Sequence, residues 1–370
     1  MEPRRDDVKV DVTLRDRLMR GGQRRRALVT VALALVLATA AALLIGKFAS
    51  YTQLSASLRK ADPWWLTLCV VGEVVAYAGY IAAYRDVARV GGGPELSVRV
   101  TTEIVALGFG AFVVSSAGGP AVDYWALHRA GASPKDAFRR VLALNTYKFF
   151  MLGAAACIAG VVILVGIGHG APLAMTLPWL VVVPACVAAG AWVSSADRIS
   201  RLAQLPATVA QPRGLRGLEH WLLYLLRQGL AEAVGGVGYV RHMLVQPRRF
   251  PAALIGYALY WAGDVLCLYA GLRAFGGHVG GAAIVLAYAT GYIATILPLP
   301  AGGTGGIEAA MTFSLSAVGV PLAPALLGVV AFRVFNFWLP ILPALATVPA
   351  LHRLERDLHD AARAPAAQPG

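Results

Sequence analysis

The chain is poor in charge and in cysteine. Only 14% of its 370 residues are charged, while 58% are apolar or aromatic. Soluble domains carry about 25% charged residues, so an ordinary water-soluble domain is excluded. Four cysteines (Cys69, Cys157, Cys186, Cys267), each inside an apolar run, exclude a disulfide scaffold and read as small buried hydrophobes. The seven histidines are scattered, with no His-x-x-x-His spacing to suggest a metal site. There is no Gly-x-Ser-x-Gly elbow and no Gly-Lys-Ser/Thr phosphate loop, so neither a serine hydrolase nor an ATP-driven machine is signalled. No cofactor and no metal is implied. What the chain does have is a net charge of +13. In so apolar a sequence this points to basic loops facing an anionic membrane surface, not to nucleic acid.

A helix needs about 20 mostly apolar residues to cross a bilayer. Six runs qualify: Ala27–Gly46, Trp64–Ala83, Val141–Gly168, Pro172–Val193, Pro251–Phe275 and Ala323–Leu351. The first reads as an uncleaved anchor, since no clear small-residue cleavage site follows it. Two further runs are interrupted. Val100–Gly119 runs into Ser-Ser-Ala-Gly-Gly-Pro, and Gly281–Val320 is broken by Pro298, Pro300 and a cluster of glycines. The domain plan is a basic leader (1–26), one membrane domain (27–351) and a tail (352–370) whose Ala/Pro-rich end from Ala361 reads as disordered. Within the membrane domain, residues 194–250 form a cytoplasmic segment, with an amphipathic helix expected over Leu218–Val240.

Lys and Arg concentrate on the cytoplasmic side of membrane proteins. The leader holds nine of them and therefore stays inside. A full crossing by Val100–Gly119 would then place Arg129, Lys135, Arg139, Arg140 and the arginines of 194–250 outside. A hairpin that dips in and returns removes the conflict. A second dip from the opposite face, over 281–320, brings Arg353, Arg356 and Arg363 inside. The expected fold is thus all-α: a polytopic integral membrane protein with six full spans and two oppositely oriented re-entrant hairpins (about 97–125 and 281–320), arranged as an inverted repeat with both termini cytoplasmic. Broken helices at membrane depth must be buried in protein or line a watery cavity, which places a site between them.

Ionisable groups inside the apolar runs mark that site: Glu73, Glu103, Asp123 and Lys148 in the first half, Asp264, Glu308 and Arg333 in the second. Singly, each could be an internal ion pair; together they suggest a substrate path. The sharpest local motif is Pro298-Leu-Pro-Ala-Gly-Gly-Thr-Gly-Gly-Ile-Glu308. Prolines stop the incoming helix, and Gly302, Gly303, Gly305 and Gly306 permit a tight reversal with exposed amides that could hold a lipid phosphate. Glu308 falls in the first turn of the returning helix, which suits a carboxylate. Gly118-Gly119-Pro120 before Asp123 echoes this motif. Arg333 needs an anion: Glu308, Asp264 or a lipid phosphate.

The glycine hairpin, followed by Phe-Arg-x-x-x-Phe-Trp-Leu-Pro around Arg333, resembles the lysylphosphatidylglycerol synthase transmembrane region family, as does Gly-Gly-Pro-x-x-Asp-Tyr around Asp123. The resemblance covers about residues 27–350 and is most specific in the second half. It implies a flippase-like fold and lipid translocation, with Glu308 and Arg333 on family motif positions and Asp123 on a looser one. Asn145-Thr-Tyr-Lys148 departs from the expected pattern. The catalytic half of the two-part family members has no counterpart, so the chain is not expected to be an enzyme.

The resulting expectation is a cell-membrane translocase moving an anionic or glycosylated phospholipid, or a polyprenyl-phosphate-linked lipid, between leaflets. The partners expected are the membrane and its lipid substrate. Two alternatives stand beside it: an accessory subunit of a lipid or glycolipid synthase, and a lipid-headgroup enzyme.

Overall fold

The computed structural model describes residues 51–59, 61–167, 170–193, 233–296 and 304–363. Among these, every regular element is helical. In chain order they are α1 (Tyr51–Arg59), α2 (Pro63–Arg89), α3 (Val98–Val114), α4 (Gly118–Arg129), α5 (Pro134–Leu164), α6 (Leu173–Val193), α7 (233–245) and α8 (Pro251–Ala274). Then follow α9 (Gly281–Tyr292), α10 (Gly306–Ala317), α11 (Leu322–Arg333), α12 (Ile341–Thr347) and α13 (Leu351–Arg363). The helix starts are written in the sequence. Asp62, Ser97 and Ser133 each accept an amide from the first turn of the helix that follows, and prolines open α2, α5 and α8, where no intrahelical bond is lost.

Five stretches are long and apolar enough to cross a membrane: Pro63–Arg89, Pro134–Leu164, Leu173–Trp192, Pro251–Ala274 and Leu322–Arg363. They correspond to five of the six expected spans. The sixth, Ala27–Gly46, lies outside the described residues, as do the leader and most of the cytoplasmic segment, including the Leu218–Glu232 part of its expected helix. The last span is not one straight rod. Pro340 has no N–H for the Asn336 carbonyl, and its ring crowds that carbonyl. The chain instead makes a π turn over Val334–Trp338, closed by Leu339 N–H to Val334 O at 2.8 Å. Helix then continues into the tail, where α13 buries Leu351, Leu354 and Leu358 and extends to Arg363, beyond the point at which disorder was expected.

Contacts sort the helix ends into two groups. At one end of the bundle, Asp86 accepts the Ala253 amide and so caps α8, Arg140 donates to Ala88 O and Val90 O, Arg99 pairs with Asp357, and Gly131 packs on Ala362. At the other end, Asp62 N–H meets Ala274 O, and Gly170 lies against Val318 O. The pair α3–α4 begins and ends at the first end, while α9–α10 begins and ends at the second. At 1.5 Å per residue, the 17 residues of α3 and 12 of α4 give about 25 and 18 Å, short of a hydrocarbon core of about 30 Å.

The axis of the bundle is the antiparallel contact of α2 with α8. A Cβ on Gly72 would lie 2.7 Å from Gly263 O, and one on Gly263 would strike Gly72 O; Gly79 and Gly256 stand in the same reciprocal relation. Lipid supplies no hydrophobic drive between helices, so close backbone packing through small residues holds such a pair together.

Candidate functional site

Glu308 and Arg333 meet. Arg333 Nε donates to Glu308 Oε1 at 2.8 Å, and both side chains are buried. Gly305, in the left-handed region at φ +87°, lets the chain turn into α10 and donates its amide to Glu308 Oε2 at 2.6 Å. The expected anion site of the hairpin is therefore occupied, at Gly305, by the protein's own carboxylate; Gly306 opens α10, and Gly302 and Gly303 lie outside the described residues. The guanidinium carbon sits 4.1 Å from the Phe337 ring centroid. Arg333 Nη2 is buried with no hydrogen-bond partner among the described residues. Asp264, the other partner considered for Arg333, is fully buried and accepts instead from Tyr288 Oη at 2.7 Å and Asn336 Nδ2 at 3.0 Å.

Asp123 and Lys148 meet differently. They face a cavity of about 170 Å³. Its walls are Gly108, Phe109 and Phe112 of α3, Gly119 and Pro120 of α4, Asn145 and Phe149 of α5, and Tyr80, Tyr260 and Tyr292 from α2, α8 and α9. The Lys148 ammonium lies 5.9 Å from the Tyr80 ring centroid and 5.3 Å from that of Phe149, in cation–π range. Two bonds hold its helix in place: Trp261 Nε1 donates to Lys148 O at 2.8 Å and Tyr257 Oη to Leu144 O at 2.9 Å. A second cavity of only about 20 Å³ is lined by Arg333, Asn336, Phe337 and Ile307. Phe109, Phe112, Tyr260, Tyr292 and Thr295 line both cavities.

The two halves carry the same chemistry in the same order. Each has an acid after a glycine on the central helix (Gly72-Glu73, Gly263-Asp264), then an acid on the second helix of the short pair (Asp123, Glu308). A base follows on the next long helix, 25 residues beyond that acid (Lys148, Arg333). The base–acid contact is closed in the second half, while in the first half the two groups line the larger cavity.

Glu73 faces the Asp264 side of the interior and is buried, with neither oxygen hydrogen-bonded among the described residues. Glu103 stands apart: it pairs with Arg353 of α13 at 3.4 Å, and the lining of neither cavity includes it. Sequence reasoning missed Asn336, Asn145 and the aromatic walls. Asn336 sits inside the motif around Arg333, and that position is the signal that could have exposed it.

Apolar helices of spanning length packed around buried, paired charges define a polytopic, membrane-embedded protein. The chain belongs to the lysylphosphatidylglycerol synthase transmembrane region family, whose model matches residues 29–344. That membership ties it to membrane-lipid function and agrees with the resemblance read from the motifs around Glu308 and Arg333. No curated protein matches the chain.

Proposed function

We propose that the chain is a flippase-like lipid translocase, not an enzyme, of the cell membrane. The observation that carries this reading is the polar cavity at Asp123 and Lys148, set against a closed acid–base pair at the matching position of the other half. A passive scaffold gains nothing from holding an ammonium among rings at depth, where an anionic headgroup would be its natural counter-ion. In this reading α3–α4 and α9–α10 are re-entrant hairpins from opposite faces. Lys148 receives the lipid phosphate on one side of the aromatic wall and Arg333 on the other, and opening of the Glu308–Arg333 pair accompanies passage. Aliphatic side chains exposed on α6 and α8, such as Val181 and Ile255, suit contact with acyl chains. Both termini are cytoplasmic, and the drive is an ion or lipid gradient.

The test is reconstitution in phosphatidylglycerol/phosphatidylethanolamine vesicles with headgroup-labelled lipids, following transfer between leaflets. Lys148→Gln and Arg333→Gln are expected to reduce transfer at least tenfold while the protein still purifies as a monodisperse species. Full transfer by both variants would overturn the reading. Absence of transfer by the wild type across anionic, glycosylated and polyprenyl-phosphate probes would favour the accessory-subunit alternative.

A further inference from the structure

Glu73 has a role that ion pairing does not explain. Both its oxygens are buried and neither makes a hydrogen bond among the described residues, although the Cys267 thiol and the Asn336 amide lie nearby, and no ion pair reaches it there. The groups facing it are Cys69 and Tyr77 of its own helix, Asp264 and Cys267 of α8, Tyr292 of α9, and Asn336 of the π turn. None is a cation, and one is a second carboxyl group. Asp264 already takes the donors at hand, Tyr288 Oη at 2.7 Å and Asn336 Nδ2 at 3.0 Å. A carboxylate buried without donor or counter-ion is costly, and two carboxyl groups at one site do not both ionise.

We propose that Glu73 is a proton-binding site, held as the neutral acid in this conformation, and that its proton leaves to water when the π turn carrying Asn336 reorganises. Asn336 connects the two carboxyl groups to the π turn. Its amide now serves Asp264, it lies beside Glu73, and it stands three residues from Arg333 on a turn of a kind that recurs at functional sites. Moving Arg333 off Glu308 moves that turn, and the amide becomes available to an ionised Glu73. The step is proton release alone: the O–H bond of Glu73 breaks, water takes the proton, and no other reactant is required. The site itself stands independently of lipid transfer; its coupling to transfer rests on the translocase reading.

Infrared spectroscopy of the full-length protein, reconstituted in phosphatidylglycerol/phosphatidylethanolamine vesicles, tests the site. At neutral pH a protonated-carboxyl C=O band is expected. It should shift when glutamate side chains are labelled with carbon-13, vanish in Glu73→Gln and persist in Glu95→Gln, a change at an exposed position. No such band in the wild type, no shift on glutamate labelling, or an unchanged band in Glu73→Gln would overturn the proposal. The labelled wild type keeps the proposal open to refutation even if the variant does not fold, because a band that fails to shift cannot belong to a glutamate. With labelled phosphatidylglycerol in the same vesicles, Glu73→Gln is expected to lose the pH dependence of transfer, and an unchanged pH profile would overturn the coupling. Absence of wild-type transfer with the band behaving as expected would sink the translocase reading and leave the proton site standing.

Discussion

Arg333 is engaged through Nε while Nη2 has no hydrogen-bond partner among the described residues, so Glu308 is the carboxylate in direct contact with its charge there. Removing one member of a buried pair leaves the other uncompensated, at a cost of about 3–5 kcal/mol. Glu308→Gln is accordingly expected to lower unfolding stability by about that much, measured by denaturant unfolding in micelles. Glu308→Gln combined with Arg333→Met should lose much less than the sum of the two single changes, since no orphan charge remains. These two residues were legible in the sequence because a carboxylate after a glycine hairpin and a guanidinium in an apolar run both stand out chemically. Asn336 was not. A neutral amide among aromatics carries no charge signal, and its meaning depends on the π turn that aims it at Asp264. Lys148 was visible as a charge, but its setting between Tyr80 and Phe149 depends on helices far apart in the chain.

Helix α2 against α8 is where packing leaves least room. Gly79 and Gly256 each abut the other's carbonyl oxygen, and backbone cannot swing aside as a side chain can. Gly256→Val is expected to cost about 1–3 kcal/mol or more, seen as a drop in melting temperature and loss of monodisperse protein. Gly281→Ala is the matched control: its Cβ would meet nothing within 4 Å at the start of α9, so the melting temperature should not fall. Most of the helices could be read from apolar runs and caps. Their breaks could be read less well. Pro340 was visible, but a proline can end a helix, kink it or shift its register, and packing decides among these. The extension of α13 escaped notice because its three buried leucines are spaced among charges, a pattern that solvent-facing helices share.

At the scale of the molecule, basic side chains gather at one end of the bundle. Arg89, Arg99, Arg140, Arg249 and Arg353 lie there, while Arg59 and Arg273 lie towards the other. In the orientation proposed above, which follows the positive-inside tendency, the first end faces the cytoplasm. A membrane-impermeant maleimide added to intact cells should therefore label Gly280→Cys and spare Glu95→Cys, in a chain whose exposed Cys186 is replaced by Ser. The reverse pattern would invert the orientation. Arginine placement alone led to the proposed opposed entry of the two short helix pairs, since charge bias constrains parity. The matching order of acids and bases was present in the sequence, but its meaning emerges only when Gly72 and Gly263 are seen in reciprocal contact. The ring side chains shared by the two cavities have an electrical consequence. Phe109, Phe112, Tyr260 and Tyr292 each form part of the wall of both cavities; if they part only for a lipid headgroup, as the proposed translocase requires, a bilayer holding this protein should keep its resistance and its voltage while lipid moves.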